Sequence, residues 1–209
     1  MTGRAILSDL DGVLVDSHAS VMRAWRWWAD GHGIEADPDE WVEHGRPSGS
    51  VIGELRPDLD EHAEAAAIDE RQTHDVDGVV ALPGAADLLA PDGPRPLAVV
   101  TSGVVPLATA RLRAAGLHLP DVLVTPERVR RGKPDPEPYL LGASDLGVDP
   151  ADCVVLEDAP AGVAAGRAAG MHVVGITTTL APADLAGAHE HAASVADWLS
   201  RAWPRGSRR

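Results

Sequence analysis

Two carboxylates one residue apart, Asp9 and Asp11 in "AILSDLDGVLVDS" (residues 5–17), close the first apolar run of the chain. In an extended segment, side chains at i and i+2 face the same side. The spacing therefore predicts two acids directed into one small volume, each opposing the other's charge. Three more polar groups follow apolar runs: Thr101 and Ser102 after "LAVV", Glu157 and Asp158 after "CVVL", and, a few residues beyond "VLV", Lys133 in "RRGKPDPEPY". If these groups converge, a carboxylate pair about 4 Å apart costs roughly 4 kcal/mol at an effective dielectric of about 20. A hard divalent cation removes that cost, and an all-oxygen donor set with no His or Cys beside it suits magnesium. Lys133 is the only lysine, the other seventeen basic residues being arginine. A compact ammonium with three donors fits a place between anions better than a planar guanidinium does.

The elements that must carry these groups are legible as apolar runs alternating with Ala/Leu-rich helical patterns. Strands are expected at 5–7, 97–100, 122–124, 153–156 and 172–176, and helices near 106–115, 137–146 and 161–169, each stopped by a glycine (Gly116, Gly147, Gly170). Such alternation implies βαβ units and a doubly wound parallel sheet of Rossmann-like α/β class, in which ligands bind outside the carboxyl ends of the strands. Residues 16 to about 80 break the alternation with helical segments: "SHASVMRAWRWWADGHG", "DPDEWVEHG" and "RPDLDEHAEAAAIDERQTHD". The expected organisation is a core of residues 1–15 and 81–209 with an inserted α-helical cap at 16–80, whose tryptophans Trp25, Trp27, Trp28 and Trp41 form its apolar centre.

Bulk properties narrow the function class. The 209 residues allow one buried α/β core with a small accessory, and no apolar run approaches the roughly 18 residues of a membrane span. A formal net charge of −14 disfavours nucleic acid and anionic membranes as partners, while a small anionic substrate meets only a local field. Passage from Met1 straight towards a strand leads us to expect no secretory signal. The single Cys153, inside an apolar run, is expected to be an inert core thiol in a cytoplasmic protein. The basic tail "WPRGSRR" reads as a frayed terminus.

"DLDGVLVDS", "VVTSG", "RGKPDPEPY" and "VVLEDAPAGV" resemble, in order and spacing, the four signature motifs of the haloacid dehalogenase-like phosphohydrolases. The stretches around "TSGVVPLATARLRAAGL" and "VTPERVRRGKPDPEPYLLGA" are most similar to the sugar, glycerol-phosphate and deoxysugar-phosphate phosphatases. The resemblance implies a magnesium-dependent phosphatase of small sugar or polyol phosphate monoesters, monomeric and working through an aspartyl-phosphate. It assigns Asp9 as nucleophile, Asp11 as general acid and then base, and Thr101 as a hydroxyl holding a phosphoryl oxygen, with the Ser102 and Gly103 amides as further donors. Lys133 neutralises charge between nucleophile and phosphoryl group. Asp9, the backbone carbonyl of Asp11, Asp158 and, directly or through water, Glu157 hold the metal. His44 and Arg46 in "EHGRPSG" are similar in position to a substrate-contacting cap loop.

Taken singly, each residue has a plainer reading: a turn at Asp11–Gly12, helix capping by Thr101 or Glu157 and Asp158, a solvated loop charge at Lys133, an exposed loop at His44 and Arg46. Their joint occurrence after successive strands argues against those readings. A phosphosugar mutase of the β-phosphoglucomutase type uses the same Asp pair and is the alternative enzyme; a catalytically silent phosphosugar-binding protein is the alternative from another class.

Overall fold

The computed structural model describes residues 5–35, 37–38, 41–42, 48–93 and 96–202. In chain order the elements are β1 (Ala5–Ser8), β2 (Val15–Asp16), α1 (His18–Gly31), α2 (Ser48–Leu55), α3 (Glu61–His74), β3 (Val80–Ala81), α4 (Ala85–Leu88), β4 (Leu97–Val100), α5 (Val105–Ala114), β5 (Val122–Val124), α6 (Glu137–Leu146), β6 (Cys153–Glu157), α7 (Pro160–Ala168), β7 (His172–Ile176), β8 (Glu190–Ala192) and α8 (Val195–Ala202).

Six strands form one sheet in the order β5-β4-β1-β6-β7-β8, every adjacent pair parallel. The chain places its first strand in the middle: β1 pairs with β4 through Ile6↔Leu97 and with β6 through Ala5↔Cys153. Alternation along the strands sorts the apolar side chains to two faces. Ile6, Val99, Val154, Leu156 and Val174 join α5 and α8 in one core. Leu7, Val100, Val155 and Val173 join α6 and α7 in the other. A fully buried Leu, Ile or Val stabilises the fold by about 1.5–3 kcal/mol, and this two-sided apolar packing is the rigid support from which polar strand ends project.

The helices α1, α2 and α3 enclose a separate apolar cluster of Met22, Trp25, Trp28, Val51, Ile52 and Ile68. Trp25 meets Trp28 and Trp41 edge to face, with ring centroids 5.6 and 5.3 Å apart. Trp27 departs from expectation: it is 45% exposed, on the opposite side of α1, with Arg71 over its ring. Most of "DPDEWVEHG" lies outside the described residues, and α2 is a helix the sequence reading lacked. The segment leaves and rejoins the sheet through a two-stranded antiparallel ribbon, Val15↔Ala81 and Asp16↔Val80. Arg23 on α1 clamps the chain after α3 with bonds to both Asp75 carboxylate oxygens (2.8 and 2.7 Å) and to the Asp77 carbonyl (2.7 Å).

Candidate active site

The carboxyl ends of β1, β4 and β6 meet where the strand order reverses on either side of β1. Asp9 lies just past β1, its amide donating to the Leu156 carbonyl at 2.9 Å, so the sheet ladder itself fixes its backbone. Asp158 follows β6 directly, and Glu157 is that strand's last residue. Lys133 reaches in from the loop before α6, and its Nζ donates to Asp9 Oδ1 (2.6 Å), Glu157 Oε1 (2.6 Å) and the Val100 carbonyl (2.9 Å). All three donors of the ammonium are thus used, which is the geometry that favours lysine over arginine here. Asp9, Glu157 and Asp158 each offer a carboxylate oxygen, these atoms all lying within 4.8 Å of one another.

Three buried carboxylates facing one ammonium leave two negative charges in excess when all are ionised. Burial pushes the Asp9 carboxyl up to about 7; Lys133 pulls it down, while Glu157 and Asp11 push it up again. Burial, then Asp9 and Glu157, hold Asp158 well above the ordinary carboxylate range. Burial works against the Lys133 ammonium, but Asp9 and Glu157 outweigh it and raise its pKa. Two glycines leave the acids their room. A Cβ on Gly12, which has φ +74°, would overlap Asp158 Oδ2, and one on Gly162 at the start of α7 would overlap the Glu157 carboxylate. A hard, oxygen-only donor set with excess negative charge fits a magnesium ion.

Asp11 stands apart from that cluster. Because β1 ends at Ser8, the i, i+2 argument for an extended strand does not reach Asp11; the chain is already turning, and the carboxylate swings to other partners. Ser17 Oγ donates to its Oδ1 (2.6 Å) and Arg111 Nη1 to its Oδ2 (2.7 Å). Thr101 is buried at the end of β4, and its Oγ1 accepts the Gly103 amide at 3.0 Å, so that amide is spent locally rather than turned to the cavity. Ser102 and Gly103 still line the cavity. His44 and Arg46 lie outside the described residues.

Sequence reasoning passed over four groups that hold the site. Tyr139 donates its hydroxyl to Glu157 Oε1 (2.6 Å) with its ring 5.2 Å from Lys133 Nζ; being the only tyrosine of the chain, inside "KPDPEPY", it carried a signal. Thr179 donates to Asp158 Oδ2 at 2.6 Å. Arg111 and Gln72, bonded to each other and both 4% exposed, had no sequence signal at all, since charged and amide residues are ordinarily expected outside. A cavity of about 820 Å³ spans these groups, with Asp9, Lys133 and Asp158 at one side and Trp25, Asp69 and Gln72 of the helical segment at the other.

Asp69 provides a test of how that far wall is balanced. Burial pushes its carboxyl up to about 6, against the lowering effect of Arg111 and with a smaller push from Glu127. A pKa raised in the folded state makes stability fall as pH rises from the ordinary carboxylate range to about 6. Asp69→Asn should therefore stabilise by about 1–2 kcal/mol above that window, after discounting for partial exposure, and by nothing below it. Urea unfolding across the pH range reads this directly; a gain independent of pH would mean the charge is not what Asp69 costs.

The haloacid dehalogenase-like hydrolase family pattern matches residues 4–170, and the chain belongs to that family. Hexitol phosphatase A of Escherichia coli (strain K12) is 44% identical over 189 residues, covering 88% of this chain and 86% of the relative. Validoxylamine A 7'-phosphate phosphatase of Streptomyces hygroscopicus subsp. limoneus is 38% identical, with 84% and 86% covered. Among solved structures, a hydrolase from Pseudomonas syringae superposes with a TM-score of 0.81 at 27% identity, over 97% of this chain and 99% of that one. The resemblance read from the four motifs and the Rossmann-like α/β fold class both hold.

Proposed function

We propose that the protein is a magnesium-dependent phosphatase of small sugar or polyol phosphate monoesters, working through an aspartyl-phosphate on Asp9. The observation that carries this reading is the buried contact of Lys133 with Asp9 and Glu157 beside Asp158, at the carboxyl end of the sheet and open to a substrate-sized cavity. Family membership and relatives named as phosphatases of small phosphorylated compounds support it.

In the first half-reaction an Asp9 oxygen attacks phosphorus, the bond from phosphorus to the ester oxygen breaks, and Asp11 gives a proton to the departing alkoxide. In the second, water attacks the same phosphorus, Asp11 takes its proton, and the bond to Asp9 breaks to release inorganic phosphate. Lys133 lies against Asp9 and offsets the charge of the incoming phosphoryl oxygens; the Thr101 hydroxyl orients one of them. Asp9 and Asp158, with Glu157 and the Asp11 carbonyl in support, would hold magnesium, which when bound offsets repulsion between the nucleophile and the phosphoryl oxygens. Residues 16–80, including α1 to α3, act as a cap over core residues 1–15 and 81–209; they exclude water and contribute the wall that meets the sugar or polyol.

The test is release of inorganic phosphate from a panel of sugar and polyol phosphates with magnesium, with EDTA, and after magnesium is restored. Activity should vanish with EDTA and return with the ion. Independently of turnover, saturating magnesium at about 100 times its Kd should stabilise the fold by about 2.7 kcal/mol. Turnover indifferent to EDTA would overturn the metal assignment, and conversion of glucose 1-phosphate to its 6-phosphate without free phosphate would make the protein a mutase.

A further inference from the structure

We infer that Arg111 is a positioning residue for Asp11, tied in turn to the helical segment through Gln72. This inference rests on the phosphatase reading, which gives Asp11 its proton-transfer role. Arg111 belongs to α5, 4% exposed, and its guanidinium bridges two residues far apart in sequence. Nη1 donates to Asp11 Oδ2 at 2.7 Å, and Nη2 donates to Gln72 Oε1 on α3. The remaining oxygen of Asp11 accepts from Ser17 Oγ at 2.6 Å, one residue before α1 begins. Both oxygens of the carboxylate thus have a donor from a fixed direction, and the two donors are anchored at the two ends of the helical insertion. Arg111, Asp11, Gln72 and Ser17 all line the same cavity as Asp9 and Lys133.

Stability alone does not account for the arrangement. Burying a guanidinium carries a desolvation cost that an ion pair recovers only in good geometry, and a well-packed apolar side chain is often the more stable choice. Here, moreover, the pairing is incomplete as a structural device: Arg111 Nε, itself buried, has no hydrogen-bond partner among the described residues. The second partner, Gln72, is a neutral amide. The guanidinium charge therefore falls on Asp11, with Asp69, one turn before Gln72 on α3, the other acid it acts on. Arg111 thus holds the Asp11 side chain from the α5 side without itself taking part in the proton transfer. What the bridge supplies is direction, which a proton donor needs to within a few tenths of an ångström of its hydrogen-bond reach.

The experiment exploits the leaving group. An alkoxide must be protonated as it departs, whereas p-nitrophenolate leaves readily without a proton, and kcat/KM reports events up to formation of the aspartyl-phosphate. Arg111→Met should lower kcat/KM for glycerol 1-phosphate by roughly 30- to 100-fold, a misplaced general acid forfeiting most of its 10²–10⁴-fold effect, and lower that for p-nitrophenyl phosphate far less. Arg111→Lys should recover part of the loss on the alkyl ester, and Gln72→Leu should reproduce its selectivity at smaller size. Should Arg111→Met not fold, Gln72→Leu alone decides: it must weaken the alkyl reaction selectively, and must have no further effect in an Asp11→Asn background. Equal losses on both esters, or no loss, would overturn the inference while leaving the phosphatase reading intact; wild-type protein inert on both esters would overturn the phosphatase reading and this inference with it.

Discussion

Asp9→Asn protein will release phosphate at less than about one ten-thousandth of the wild-type rate, the scale on which removal of a covalent nucleophile is felt when the rest of its machinery remains. The same variant will melt no lower than wild type in metal-free buffer at a pH of about 8. The second half of that expectation follows from the charge count. Three buried carboxylates share one ammonium, and with all of them ionised, replacing Asp9 by an amide reduces the excess from two negative charges to one. Lys133 is not orphaned by the change, because Glu157 Oε1 at 2.6 Å and the Val100 carbonyl at 2.9 Å still accept from it. A site that is electrostatically uncomfortable until it is loaded trades stability for reactivity. Phosphate release and thermal unfolding of the same preparation check both halves. Substantial residual turnover would remove Asp9 from the chemistry, and a sharply lower melting point would mean the acid is structural.

The strands that carry Asp9, Thr101 and Glu157–Asp158 were legible because each is a continuous apolar run buried on both faces of a parallel sheet, and such runs end where the polar site begins. Gly147 could be read as a helix stop for the reason the structure gives: it adopts φ +65° at the end of α6. The ribbon of β2 and β3 was not legible, since two residues per strand, one of them the exposed Val80, have no period to detect. Strand β8 reads "EHA", an edge strand too polar to look like one. Helix α8 did hold a signal, Val195 and Trp198 three apart and both buried, in a stretch where the sequence reading had stopped assigning elements. At the site the four motifs named the groups that strand ends deliver. They could not name Arg111 or Gln72, whose partnership across helices α5 and α3 exists only in the packed fold, nor the turn that takes the Asp11 carboxylate away from Asp9.

Lys133→Met should act on folding and chemistry together. Lys133 is 8% exposed; among the described residues its Nζ is the one side-chain donor to Asp9 Oδ1 and shares Glu157 Oε1 with the Tyr139 hydroxyl. Methionine matches its length and would leave Asp9 Oδ1 and the Val100 carbonyl without this donor and the Glu157 carboxylate without its cation, Tyr139 alone still donating to Glu157 Oε1. Removing one partner of a buried ion pair costs about 3–5 kcal/mol, against a whole-domain stability of about 5–15 kcal/mol. Activity should fall by roughly 10³-fold in whatever fraction remains folded, the scale for deleting a charge-stabilising donor. Lys133→Arg separates the two effects. It keeps the positive charge and should recover part of the stability, but a planar fork cannot direct three bonds around one point as Nζ does, so activity should stay low. Urea unfolding gives the first quantity and phosphate release the second. If Lys133→Arg matched wild type in both, the three-way geometry of the ammonium would be incidental and only its charge would matter.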